Sequence, residues 1–428
     1  MTNCTSSPTL PAGLNLNTTT CAITGTPTAS QSATNYTITA SNSAGSTTAT
    51  ISITITTTGT SITAPSLTYT GNPFTFSQGS AITTVTPTVT GTVTNCTSSP
   101  TLPAGLSINA TTCAISGTPT NAQLSTSYTI TASNAGGSTT ASISIAVFSN
   151  GTSWSSRSIS VAYNYFSVAY GNGVFVTLGN SSSVAYTSPD GVTWTARTLP
   201  SSDGWRAITF GNGVFVALAT SSNAAATSPD GISWTATTLP STASWTSITY
   251  GNSLFVAVVN GSTTAATSAD GSSWTSRTLP SSSGWTSITF GNGIFVAVSG
   301  TGTAAATSSD GTNWTAATLP TSQNWTSVTF GNGVFVAIGG TGTTAATSTN
   351  GTSWTTRTLP SSQNWTSVTF GNGVFVAVSN GSSTAAATSP NGTTWTARTL
   401  PSSSNWNSVA YGNGVFATVG VSVAASSP

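Results

Sequence analysis

The chain has no lysine, no glutamate and no histidine in 428 residues; all its charge is six arginines and five aspartates. Without histidine, the Ser-His-Asp and Cys-His nucleophilic systems are excluded. Without glutamate, general acid–base catalysis has only Asp190, Asp203, Asp230, Asp270 and Asp310 to work with. The net charge of +1 gives no electrostatic footprint for nucleic acid or an anionic membrane, so neither is expected as a partner. Apolar runs are only a few residues long, which excludes a membrane-spanning helix and with it membrane insertion. No charged and apolar leader opens the sequence, so any secretion signal has been removed, lies outside this chain, or was never needed. With only Asp, Tyr, Arg, any free Cys and the termini to titrate, the surface charge should stay nearly constant from about pH 5 to 10.

Cysteine is scarce as well. The four cysteines form two equivalent pairs, Cys4/Cys21 and Cys96/Cys113, each 17 residues apart and set in the same surrounding text. Metal ligation would want closer Cys or His partners, so no metal or cofactor is expected. Two local disulfides are expected in preference to free buried thiols, which implies an oxidising compartment or an extracellular particle.

What is present is repetition. A chain rich in Ser, Thr and Gly suggests disorder, but 13 Trp, 15 Phe and regular Val/Ile alternation indicate an all-β fold. The phrase Gly-Asn-Gly-Val-Phe-Val, with small variations, starts at Gly171, Gly211, Gly251, Gly291, Gly331, Gly371 and Gly412. A period near 40 with strand-like text in each copy predicts a β-propeller. Each copy reads as four strands, with turn residues such as Asn292-Gly293 accepting the positive φ of a type I′ hairpin. The last copy stops before its fourth strand, while an orphan fourth strand precedes the first copy near Trp154. Residues 150–158 should therefore complete the last blade, giving seven blades with a one-plus-three closure that removes the open edges.

Upstream, residues 2–55 align with 94–147 at a constant offset of 92. Alternation punctuated by Gly, Asn and Pro every 8–12 residues reads as a β-sandwich. The elements Leu-Pro-Ala-Gly-Leu, Cys-Ala-Ile-Ser-Gly-Thr-Pro-Thr and Tyr-Thr-Ile-Thr-Ala-Ser-Asn resemble the immunoglobulin-like domains found in tandem on bacterial and phage surface proteins. The resemblance implies a spacer role without catalytic residues. Three domains are expected: an incomplete immunoglobulin-like sandwich over 1–57, a complete one over 58–148, and the propeller over 149–428. The first sandwich lacks the text corresponding to residues 67–93, so it is expected either to belong to a longer array or to take strands from a neighbouring chain that completes residues 1–57. Uncovered apolar positions such as Leu14, Ile23, Ile38 and Ile51 would then drive association.

The string Ser-Pro-Asp-Gly-Val-Thr-Trp at 188–194 recurs at 228–234, 268–274 and 308–314, and with Asn for Asp at 348–354 and 389–395. It resembles the Asp-box of sialidase-like propellers, one residue tighter than the usual spacing. The resemblance implies a structural turn, with a ring of calcium-binding aspartates as the functional alternative. Sialidase chemistry needs clustered arginines and a Tyr activated by an acidic residue, usually Glu. Here Arg157, Arg197, Arg277, Arg357 and Arg398 are spread round the ring by the repeat and Glu is absent, so no enzyme activity is expected.

A second aromatic series, Trp205, Trp245, Trp285, Trp325, Trp365 and Trp406 with Tyr165, opens each innermost strand. These rings are candidates either to stack on sugar rings beside Asn, Gln and Ser, or to fill the space between blades. Asp203 and Arg206 are the only charges off the repeat template. They form a local ion pair or mark one blade for binding. The expected function is a non-enzymatic adhesion or receptor-binding protein that meets a cell-surface glycan or protein receptor, outside the cell or on a virion, as in an adhesin or tail fibre. The alternative is a structural subunit of an extracellular filament or coat, assembled by strand complementation of the first sandwich.

Overall fold

The computed structural model describes residues 3–57, 59, 62–161 and 163–427. Every regular element among them is a β-strand, and no helix is long and apolar enough to cross a membrane. The chain divides into two compact units: Met1–Ala64 with Asn134–Gly137, and Pro65–Ser133 with Ser138–Pro428.

The smaller unit has one sheet in the order Asn3–Ser7, Gln31–Asn42, Gly45–Ile55, and a hairpin of Leu14–Leu16 with Ile23–Gly25. Cys4 and Cys21 are joined, Cα to Cα 5.4 Å, tying the edge strand to the hairpin loop. The larger unit repeats this pattern with Asn95–Ser99, Gln123–Asn134 and Gly137–Phe148, and with the bridge Cys96–Cys113. It then adds strands that the smaller unit lacks among its described residues. Phe74–Ser77 pairs in parallel with the end of Gly137–Phe148, and Ser66–Thr68 pairs with Thr88–Thr90.

Burial records the consequence. In the larger unit Ile115, Ile130, Ile143 and Ile145 are at most 1% exposed, in one core with Leu67, Tyr69, Phe74, Phe76 and Val89. Their counterparts at the 92-residue offset, Ile23, Ile38, Ile51 and Ile53, are only half-buried. An apolar face that is covered in one repeat is partly open to water in the other.

From Ser149 onward the described residues form seven four-stranded blades. In the first, Tyr165–Gly171, Val174–Gly179, Val184–Ser188 and Thr195–Thr198 pair in sequence order. Three outer strands run without a break into the next inner strand, as in Thr235–Gly251, Thr275–Gly291 and Thr355–Gly371, so stretches read as loops are themselves extended. In the last blade Trp406–Gly412, Val415–Gly420 and Ala424–Ser427 are completed by Ser155–Arg157, with Ser155 opposite Ser426 and Arg157 opposite Ala424.

The glycines of the repeat phrase act differently. Asn292 and Gly293 take φ of 48° and 78°, as the tight turn requires. Gly291 needs no unusual φ but lies against the Phe330 ring of the next blade, where a Cβ would come within 2.0 Å. The same contact recurs round the ring and closes on itself, Gly412 lying against Tyr170. Between these stacks each blade interface is filled by one large ring and small partners; Trp285, for example, packs with Val256, Val258, Leu279 and Ala297.

The complete sandwich joins the end of the propeller that carries the Gly-Asn-Gly turns. Its last strand delivers Phe148 against Gly414, and the Asn372 amide donates to the carbonyls of Phe148 and Ser149 at 3.2 and 3.0 Å. The opposite end of the ring is left open.

Candidate functional site

The structure places the aromatic series inside the protein. Trp205, Trp245, Trp285, Trp325, Trp365, Trp406 and Tyr165 are all 0% exposed. Each indole N–H is spent on a backbone carbonyl of its own loop, as from Trp285 Nε1 to Ser281 O at 3.2 Å, and the Tyr165 hydroxyl donates to Val161 O at 2.6 Å. Burial pushes the Tyr165 phenol well above its ordinary pKa, with Tyr186 adding to the shift. These seven rings hold blades together, and the expectation that they stack on a ligand is corrected: no face is accessible.

The accessible position is the next residue along. Round the ring it reads Phe166, Arg206, Thr246, Thr286, Thr326, Thr366 and Asn407, and these side chains line an axial funnel of about 350 Å³ at the open end. Asn260, Asn324, Asn364 and Asn380 complete its wall. A register shift after each inner Trp, between Trp205 and Ala207 for instance, sends consecutive residues to the axis. Simple alternation cannot foresee that, so the sequence reading settled on the Trp and missed its neighbour.

Most of this ring is tied down. The hydroxyls of Thr246, Thr286, Thr326 and Thr366 donate across the blade boundary to the carbonyls of Trp285, Trp325, Trp365 and Trp406, at 2.8, 2.5, 2.8 and 2.7 Å. Asn407 continues the belt to Tyr165 O at 3.1 Å. One layer deeper, serines at 167, 247, 287, 327, 367 and 408 accept from backbone amides of the adjoining blade, as from Val328 N to Ser287 O at 3.1 Å. Both belts break at one place. Phe166 has no donor, Arg206 makes no such bond, and Ala207 stands where the other blades have serine.

Arg206 and Asp203 form no ion pair. Ser201 Oγ donates to the Asp203 carboxylate at 2.5 Å, and the Arg206 guanidinium lies 4.1 Å above the centre of the Phe166 ring. Burial lowers the Arg206 pKa from its ordinary value. The other arginines are spent on the outer strands, each donating through Nε to a hydroxyl of its own blade, as from Arg277 to Thr267 at 3.0 Å and from Arg157 to Ser426 at 2.7 Å. Arg197, Arg357 and Arg398 do the same. The side-chain amides of Asn260 and Asn324 have no protein hydrogen-bond partner among the described residues. The funnel thus offers one cation and free amide groups.

The remaining aspartates fold turns at the far end. Asp310 Oδ1 accepts from the amides of Thr312 and Asn313, both at 2.8 Å, and from Ser308 Oγ. Such bonds favour the ionised form and hold the carboxyls of Asp230, Asp270 and Asp310 below their ordinary pKa. At Asp190 partial burial opposes the shift, but bonds from Val192, Thr193 and Ser188 outweigh it. Asn350 and Asn391 accept the same amide bonds without a charge. A further copy escaped the sequence reading because Phe148 stands where the others have serine: Asn150 accepts from Thr152 N, and Trp154 Nε1 donates to Gly151 O. No group of three or more potential metal ligands occurs among the described residues.

A family model described as "Putative Ig domain" matches the chain twice, over residues 1–58 and 56–148. Among solved structures, a streptogramin B lyase superposes with a TM-score of 0.59 at 12% identity, covering 64% of this chain and 96% of that one. A catalytically inactive virginiamycin B lyase from Staphylococcus aureus with quinupristin superposes with the same TM-score and identity, over 64% of this chain and 98% of its own. At such identity the likeness shows the fold alone. The sequence matches no curated protein.

Proposed function

We propose that the chain is a non-enzymatic recognition protein, exposed outside the cell or on a virion, whose propeller binds a cell-surface glycan or protein receptor in its axial funnel. The carrying observation is the funnel itself: free amides and one unpaired guanidinium in a cavity at the end away from the attached sandwich. The immunoglobulin-like units serve as the spacer that presents it. Both disulfides suit an oxidising exterior. The absence of catalysis rests on residue chemistry. Four of the five aspartates are committed to turns, and no group poised for proton transfer faces the cavity. The catalytically inactive virginiamycin B lyase carries alanine in place of a histidine, whereas this chain has no histidine at all.

Binding of the full chain to an array of neutral and acidic glycans tests the reading. The wild type should bind at least one glycan and leave it intact, and the double variant Asn260→Ala, Asn324→Ala should lose most of that binding while melting as the wild type does. Binding untouched by the double variant, turnover of the bound glycan, or no binding at all would count against it.

The half-exposed isoleucines favour a second reading, in which the first sandwich receives a strand from a neighbouring chain of a filament or coat. A synthetic peptide of residues 65–93, which covers the equivalent face in the second sandwich, should slow amide exchange in Gly45–Ile55 when added in excess. Exchange that is unchanged at high peptide concentration would rule out an acceptor face.

A further inference from the structure

The break in the funnel's symmetry carries more than the funnel does. We propose that Arg206, held on Phe166, is a carboxylate-binding subsite, and that the funnel's ligand is an acidic sugar whose carboxylate meets this guanidinium while its hydroxyls meet the surrounding amides. The inference rests on the funnel being the binding site.

Three observations lead to it. First, Arg206 is placed but not used. Its planar face lies against Phe166 at 4.1 Å, which fixes the side chain by a cation–π contact. No carboxylate or carbonyl of the described residues occupies its N–H groups, so the in-plane edge that bonds a carboxylate with two parallel hydrogen bonds is free. The other five arginines are each engaged with a hydroxyl on the outer strands.

Second, the change from the template is concentrated. Four blades have Thr at this axial position, and their hydroxyls close the belt between blades. Phe166, Arg206 and Ala207 together give up that belt and one serine bond of the layer below. Structure alone gains nothing from the exchange, since each lost bond of this kind contributes about 1 kcal/mol.

Third, the rest of the wall identifies the class of ligand. An acidic peptide would want an apolar, aromatic surface around its anchor. Here the wall is Thr and Asn, including the free amides of Asn260 and Asn324, and Phe166 is its one aromatic ring. Hydroxyl-bonding groups round a single cation suit a uronic acid. The nearest carboxylate in sequence, Asp203, is occupied by Ser201 and does not neutralise the site.

The test compares a tetramer of galacturonic acid with a neutral tetramer of glucose by calorimetric titration of the full chain. The variant is Arg206→Thr, which installs the residue that four blades already carry and so should fold. Wild type should bind the acidic tetramer at least about tenfold more tightly than the variant does, as expected for a charge-assisted bidentate contact. The preference should weaken with added salt, and any neutral binding should change less than about twofold. Equal affinity of wild type and variant for the acidic tetramer would overturn the subsite. If a neutral glycan still bound in the funnel, the wider function would survive that result; if no glycan bound, both would fall. An aspartate-rich peptide that bound with the same dependence on Arg206, while the acidic tetramer did not, would overturn the sugar assignment.

Discussion

Replacing Gly291 by alanine should destabilise the propeller by about 3 kcal/mol or more, at the upper end of what overpacking costs. The Cβ would sit 2.0 Å from Cγ of Phe330, far inside the contact distance of about 3.5–4.0 Å. Neither side can yield easily. The Phe330 ring is already fixed against Phe335, with centroids 4.7 Å apart, and Gly291 is paired with Ile294 in its own sheet. Gly293→Ala is the control. It has φ of 78° and nothing within 4 Å, so it should lose only the roughly 1–2 kcal/mol of a left-handed residue. Thermal unfolding of the two variants decides the matter, and equal melting temperatures would refute the stacking account.

Deleting residues 149–158 should be at least as damaging, for a different reason. The segment supplies the fourth strand of the last blade, opposite Ala424, Ala425 and Ser426. It also carries Trp154, which packs in that blade with Val374, Val423 and Trp406. Loss of a packed Trp alone amounts to about 3–5 kcal/mol. The deletion further exposes an unpaired edge in a ring that has none. For a domain of this size that corresponds to a fall in melting temperature on the order of 10 °C. A deletion variant that melts with the wild type would show that the ring does not depend on this strand.

How much of this was legible in the sequence depends on what each residue does. Gly291, Asn292 and Gly293 recur because a stack and a turn recur, so the repeat and its strand count follow from the text. Closure was legible because the missing strand and the orphan strand are complementary parts of one blade. The site was half legible. Arg206 is visible as a charge off the template, but its neighbour Trp205 drew the functional reading because large aromatics both bind sugars and fill interfaces. The register shift that turns the axis over to Arg206 has no marker in residue type. Neither has Phe166, whose part appears only once the first and second blades stand side by side. In the first sandwich the absent strands were legible by comparison with residues 67–93, and the half-burial of Ile23, Ile38, Ile51 and Ile53 agrees with that absence.

The most direct test of the central claim, that the open end of the ring is the recognition surface, is amide exchange of the full chain with and without the tightest-binding glycan of the array. The account predicts protection confined to the starts of the inner strands and the residues leading into them, 201–207, 243–247, 283–287, 323–327 and 363–367, with the Gly-Asn-Gly turns unaffected. Protection at the turns, at the outer strands or in the sandwiches, with the inner-strand starts unchanged, would contradict it.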